Sequence, residues 1–169
     1  EFKLVNSLEV KKDGNRSYRI LVNYHDVKVD ICHIGLGVSQ VLPIIVQGLL
    51  LPPGSLFVVD SPEVHLHPSV QSAVMDFFIW LATEKKVYVL LETHSDHCVT
   101  RIRRRIAEKK LEAKDVNLRY VTNDGEGSEY ELQSLTDNGL FKSNLPEGFL
   151  DTQDKDFEEI IKQQLKNNG

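Results

Sequence analysis

Two short apolar runs, each ending in polar residues that a hydrophobic core does not need, constrain this chain most. One is Ser55-Leu56-Phe57-Val58-Val59-Asp60; the other is Lys86-Val87-Tyr88-Val89-Leu90-Leu91-Glu92-Thr93. Runs this short, without polar alternation, suit strands buried on both faces of a parallel sheet. Between them Pro68 opens a segment in which Val70, Val74, Phe77, Phe78 and Leu81 recur at helical spacing to about residue 83. A further helix is predicted over residues 96–109. Strand, helix, strand, helix is the pattern of an α/β chain with parallel strands. Ligands of such sheets gather at the C-terminal ends of the strands. Asp60-Ser61-Pro62-Glu63 and Thr93-His94-Ser95 stand at those ends.

The flanks read differently. Residues 17–24 and 27–31 alternate around turn material at 12–15 and 25–26, which predicts a small antiparallel meander. Gly35 and Gly37 break that pattern. Ser39 is the predicted cap of a helix over residues 40–50, with Pro43 in its first turn, and Pro52-Pro53-Gly54 ends it. Residues 115–122 and 128–135 enclose Asn123-Asp124-Gly125-Glu126-Gly127, a hairpin signal. A polar helix over 155–166 spaces Phe157, Ile160, Ile161 and Leu165 helically and is predicted to dock on the domain or a partner. The chain thus divides into an antiparallel segment, 1–34, a lobe bearing the polar strand ends, 35–151, and a terminal helix, 152–169.

Composition narrows the function classes. Of the 169 residues 41% are hydrophobic and 27% charged, enough for a real core and against a disordered tail. The net charge of -5 argues against a dedicated nucleic-acid binder. Cys32 and Cys98 match no metal spacing and read as two packed thiols in a reducing, cytosolic setting. Trp80 reads as core together with Phe77 and Phe78. No stretch approaches the roughly 18 apolar residues that span a bilayer, so no membrane partner is expected. The chain starts at Glu1 without a signal peptide or an initiator Met, which is expected of a fragment or of a processed product.

An Asp at the end of a buried strand can hold the water shell of Mg²⁺ beside a triphosphate. A histidine ending the neighbouring strand can meet a transferring phosphoryl group or its attacking water. Asp60 and His94 fill those two places. A second reading of the same edge is a metal-dependent phosphohydrolase, with His65, His67, Asp60 and His94 as ligands. Arg101, Arg103, Arg104 and Arg105 share one predicted helix. They fit either nucleic-acid phosphates or a solvated face paired with Glu108 and Glu112.

Taken together, these motifs resemble one half of an ABC-type P-loop ATPase of the SMC- and OLD-related bacterial group. Gly37-Val38-Ser39-Gln40-Val41-Leu42-Pro43 resembles the signature segment. The segment from Phe57 through Asp60 to Pro68 resembles the Walker B and D-loop, and Glu92-Thr93-His94-Ser95-Asp96-His97 the switch-histidine segment. Leu145-Pro146-Glu147-Gly148-Phe149 resembles the C-terminal motif. The resemblance implies a parallel-sheet P-loop NTPase lobe that uses ATP and Mg²⁺, with Asp60 as the metal-binding acid and His94 near the γ-phosphate. Gly37, Ser39 and Gln40 would hold a nucleotide carried by a second subunit, making a homodimer through the signature segment. It further implies a role in DNA repair, phage defence or regulation, acting on a separate effector protein.

Three departures qualify what the resemblance implies. Ser61 stands where related ATPases carry the Glu that positions the attacking water, and Glu63 is the substitute catalytic residue in reach. His33 stands where the group carries Asp. No G-x-x-x-x-G-K-[ST] phosphate loop occurs in the chain. The resemblance therefore assigns that loop to an N-terminal lobe outside this sequence, without which the piece is inactive. The alternative is a non-hydrolysing, nucleotide-sensing interaction module.

Overall fold

The computed structural model describes residues 6–24, 27–123, 125, 127–146 and 150–167. The first residues of the chain, the His25-Asp26 turn, Asp124, Glu126 and the Glu147-Gly148-Phe149 part of the tail motif lie outside them. The chain forms two compact units, Glu1–Ile102 and Arg103–Gly169.

The first unit opens with an antiparallel meander of β1 (Ser7–Asp13), β2 (Ser17–Tyr24) and β3 (Val27–Asp30). A 3-10 turn, Ile31–His33, then leads to α1 (Leu36–Leu50). The predicted start of this helix is corrected here. Its cap is Gly35, which offers no side-chain bond, and the Ser39 hydroxyl lies inside the helix, donating back to the Leu36 carbonyl at 2.9 Å. Pro43 consequently sits in the helix interior, where its missing N–H leaves the Ser39 carbonyl without its helical partner. At the other end, the Lys85 ammonium donates to the Gly48 and Leu49 carbonyls, a cation on the open carbonyls of a helix C-terminus.

β4 (Leu56–Asp60) and β5 (Tyr88–Glu92) pair in parallel, with Leu56 opposite Tyr88 and Asp60 opposite Glu92. Between them runs α2 (Pro68–Thr83), which begins where the sequence places it. Pro68 occupies the first turn, and His67 caps the helix by accepting from the Ser69 N–H. The apolar stripe of α2, Val74, Met75, Phe78 and Leu81, packs with Phe57 and Val59 of β4 into the core. The Phe57 and Phe78 rings lie 6.1 Å apart, and burying a side chain such as Phe78 contributes about 1.5–3 kcal/mol.

The strands are covered on one face only. Phe57 and Val59 are buried, while Leu56, Val58, Tyr88 and Leu90 remain 58% to 70% exposed. The expectation of strands buried on both faces is therefore corrected: an apolar run does not itself bring a second covering layer. Two further expectations change. Cys32 is exposed, and only Cys98 is a packed thiol, its pKa pushed up chiefly by burial. Trp80 lies at the surface, stacked on Phe77.

The second unit contains the end of α3 (Asp96–Ala107), a 3-10 turn at Ala113–Asp115, and the hairpin of β6 (Arg119–Asn123) and β7 (Ser128–Leu132). The two strands are shorter than the predicted spans of 115–122 and 128–135. α4 (Thr152–Asn167) follows, with Phe157, Ile160, Ile161 and Leu165 all exposed. Within the second unit that apolar stripe is exposed, so the predicted docking on the domain or a partner is not made onto the other elements of its own unit. The architecture is mixed α/β, with one small parallel sheet and two antiparallel ones among the described residues. Among the described residues no helix is long and apolar enough to cross a membrane.

Candidate functional site

The site lies in the first unit, at the C-terminal edge of the β4–β5 pair. In-register pairing places Asp60 directly opposite Glu92. The ladder extends one step further, because the Ser61 N–H donates to the Glu92 carbonyl at 2.9 Å. Ser61 has φ 45 and His65 φ 61, so the loop leaving β4 holds two side-chain-bearing residues in the left-handed region. Such strain persists only where the surroundings fix it, and it concentrates at functional sites.

The polar groups of this edge fall into two sets. Asp60, Glu92 and His94 are exposed; the His94 side chain is 81% accessible, and its Nε2 lies 3.8 Å from Glu92 Oε1. Ser61 donates its hydroxyl to Asp60 Oδ1 at 2.6 Å. Glu63, by contrast, is 7% exposed. Its Oε1 accepts the His94 backbone N–H at 2.8 Å, and its Oε2 is buried with no hydrogen-bond partner among the described residues.

Behind this edge a second chain of bonds ties the loops together. The Gln71 side-chain amide donates to the Leu66 carbonyl at 2.9 Å. The Ser95 hydroxyl donates to Gln71 Oε1 and accepts from the Cys98 N–H in the first turn of α3. Sequence reasoning missed Gln71 and the role of Glu92. A signal existed for each: Gln71 interrupts the apolar stripe of α2 three and four residues before Val74 and Met75, and Glu92 ends its apolar strand as Asp60 does.

Asp60, Glu63 and His94 are thus brought to one edge. Gly37 joins them indirectly: a Cβ there would stand 2.8 Å from the His65 carbonyl oxygen and 2.9 Å from Leu66 Cδ2. The first turn of α1 can lie against the β4–α2 loop only because residue 37 is glycine. Among the described residues no hydrogen bond joins Ser39 or Gln40 to Asp60, Glu63 or His94.

The metal-dependent phosphohydrolase reading is not supported. Among the described residues no group of three or more His, Cys, Asp or Glu side chains is placed to hold a metal ion. His67 instead caps α2, its Nδ1 2.9 Å from the Ser69 hydroxyl. A single exposed carboxylate does fit Mg²⁺, which keeps most of its waters and takes the rest of its shell from nucleotide phosphates.

The arginines of α3 are held within the chain. In the first unit Arg101 pairs with Asp76 at 3.0 Å. In the second, Arg103 donates to the Gly139 carbonyl at 2.9 Å and lies over the Phe141 ring. Arg104 and Arg105 both pair with Glu108. Glu112, expected to share them, pairs with Lys114.

Comparison with known proteins gives three findings. The family profile described as AAA ATPase domain matches residues 2–99, more than half of the chain. Among curated proteins nothing matches. The chain is also similar to a solved structure from work on the structural biochemistry of ATP-driven dimerization and DNA-stimulated activation of SMC ATPases. That similarity has a TM-score of 0.59 at 14% identity and covers 91% of this chain and 80% of the other, a likeness of fold.

Proposed function

The chain belongs to the AAA ATPase domain family, and from that premise we propose that it is the Walker B and switch-histidine lobe of an ABC-type ATPase. The observation that carries this reading is the presentation of Asp60 and His94 at the ends of adjacent parallel strands, exposed, with the intervening loop held from behind by Glu63. Mg²⁺ supplies charge neutralisation of the triphosphate when bound. Asp60 would hold it, and the Ser61 hydroxyl fixes one oxygen of that carboxylate. His94, exposed at the same edge, is the residue assigned to the γ-phosphate. The resemblance assigns Gly37, Ser39 and Gln40, in the first turns of α1, to the nucleotide of a second copy, a reading helped by the affinity of helix N-termini for phosphate.

The phosphate loop comes from a separate N-terminal lobe. The uncovered β4–β5 face supports such a partner, because parallel sheets are ordinarily covered on both sides. The similar SMC ATPase is described as dimerising under ATP, and the same event is proposed here, in a cytoplasmic DNA-repair, defence or regulatory system with its own effector protein. The arginines of α3 are not assigned to nucleic acid, because each has a partner within the chain. A second reading, a nucleotide-sensing module that does not hydrolyse, is favoured by Ser61, whose hydroxyl is engaged with Asp60 and cannot act as a base.

The test combines this chain with a lobe carrying the phosphate loop and measures Mg-ATP turnover. Asp60→Asn and His94→Ala are each expected to lower the rate by roughly 10²–10³-fold, the usual loss when one electrostatic partner of a transition state is removed. Turnover that both variants leave unchanged overturns the hydrolytic reading. Nucleotide binding without turnover selects the second.

A further inference from the structure

Glu63 differs from the other acids of the edge. It is buried, while Asp60 and Glu92 are exposed. A general base must reach the water it deprotonates, and Glu63 instead receives the main-chain N–H of His94, 31 residues further along the chain. A carboxylate on a backbone N–H is a short, charge-assisted bond. Among the described residues the His94 ring has no such support, and the acid beside it is Glu92 at 3.8 Å. The placement of the imidazole therefore depends on its backbone.

The loop that carries Glu63 is itself fixed. The Leu66 N–H returns to the Glu63 carbonyl at 3.0 Å, the Val64 N–H returns to Ser61 at 3.2 Å, and Gly37 seats the loop from the α1 side. Among the described residues Glu63 Oε2 has no hydrogen-bond partner, so bonds within the chain alone do not account for the burial of this carboxylate. A hydrophobic residue at this position would avoid that cost.

We propose that Glu63 is a positioning residue and not the base. Its carboxylate ties the end of β5 to the loop after β4, and so fixes the main chain of His94 relative to Asp60. The consequence for catalysis rests on the ATPase reading above; the tie itself does not.

The two are tested separately. In the 169-residue chain, amide hydrogen exchange at His94 is compared between wild type, Glu63→Gln and Glu63→Ala, with Val58 and Val59 of β4 as fold controls. Gln keeps an acceptor, so exchange stays within about threefold of wild type; Ala removes it, and exchange rises by about tenfold or more while the controls hold. Equal exchange in wild type and folded Ala overturns the tie. If Ala does not fold, Gln still decides: exchange about tenfold faster in a folded Gln variant overturns the tie, and wild-type exchange supports it.

In the assembled ATPase a base role predicts that Gln is as inactive as Ala. The positioning role predicts that Gln restores turnover, with kcat near wild type, while Ala loses it. Turnover lost equally in both overturns the positioning role. An assembly without turnover even in wild type counts against the ATPase reading alone and leaves the exchange result standing.

Discussion

The edge of the β4–β5 pair and the arginine-bearing end of α3 are both dense in charge, yet the fold treats them in opposite ways. On α3 the charges are satisfied internally: Arg103 closes on Gly139 and Phe141, and Arg104 and Arg105 share Glu108. At the sheet edge Asp60, Glu92 and His94 face solvent, and the groups behind them, Glu63, Gln71 and Ser95, make the bonds that hold the loops. Charge density alone therefore does not mark a site. What separates the two regions is whether the polar groups are consumed in making structure.

The contrast breaks first at its glycines. In the second unit a Cβ at Gly139, φ 74, would stand 2.2 Å from the Arg103 carbonyl oxygen, an overlap with backbone. Gly139→Ala is expected to destabilise by about 3 kcal/mol, more than Gly37→Ala at about 1–2 kcal/mol, where the nearest atom is 2.8 Å away. Denaturant melts rank the two. Gly37→Ala should also shift the amide resonances of residues 61–67, and an unshifted loop would mean that α1 does not seat it.

Arg103→Ala is the next smaller effect. It removes one hydrogen bond and one cation–π contact and should cost about 1–2 kcal/mol. His94→Ala, at an exposed position, should stay within about 0.5 kcal/mol in the same melts. Equal losses at both positions would erase the distinction between the regions.

The smallest effect is a pH dependence. Arg104, Arg105 and Lys110 hold Glu108 at about 2, below its ordinary 4.5. A lowered carboxyl stabilises the fold above its unfolded value and loses that contribution on acidification. Exchange at the C-terminal end of α3 should therefore accelerate as pH falls from about 4.5 toward 2, beyond the intrinsic pH trend. Glu108→Gln should flatten that dependence; its persistence in the variant would assign the cluster no role.

Much of the fold was legible because its signals are local. β4, α2, β5 and α3 follow directly from apolar spacing, from Pro68, and from the acids that end the strands. The start of α1 was not. Ser39 has the right chemistry for a cap, but its hydroxyl bonds within the helix, and the turn begins at a glycine with no side chain to announce it. The open faces of β4 and α4 were misjudged for a related reason: an apolar pattern says that a surface wants cover, not that this chain supplies it. At the site, Asp60 and His94 were visible as strand ends. The tie between Glu63 and His94 was not, since it joins residues that only the folded sheet brings together.

The uncovered face has a consequence for the chain in solution. Leu56, Val58, Tyr88 and Leu90 form an apolar surface on a sheet that has two strands among the described residues, so each strand there also leaves one edge of backbone donors and acceptors without a strand partner. A sticky face beside two free edges is the combination from which strand-by-strand aggregation grows. A partner lobe on that face, as proposed above, would act toward this lobe as a chaperone does toward a client, and order of assembly would become part of what keeps the lobe usable.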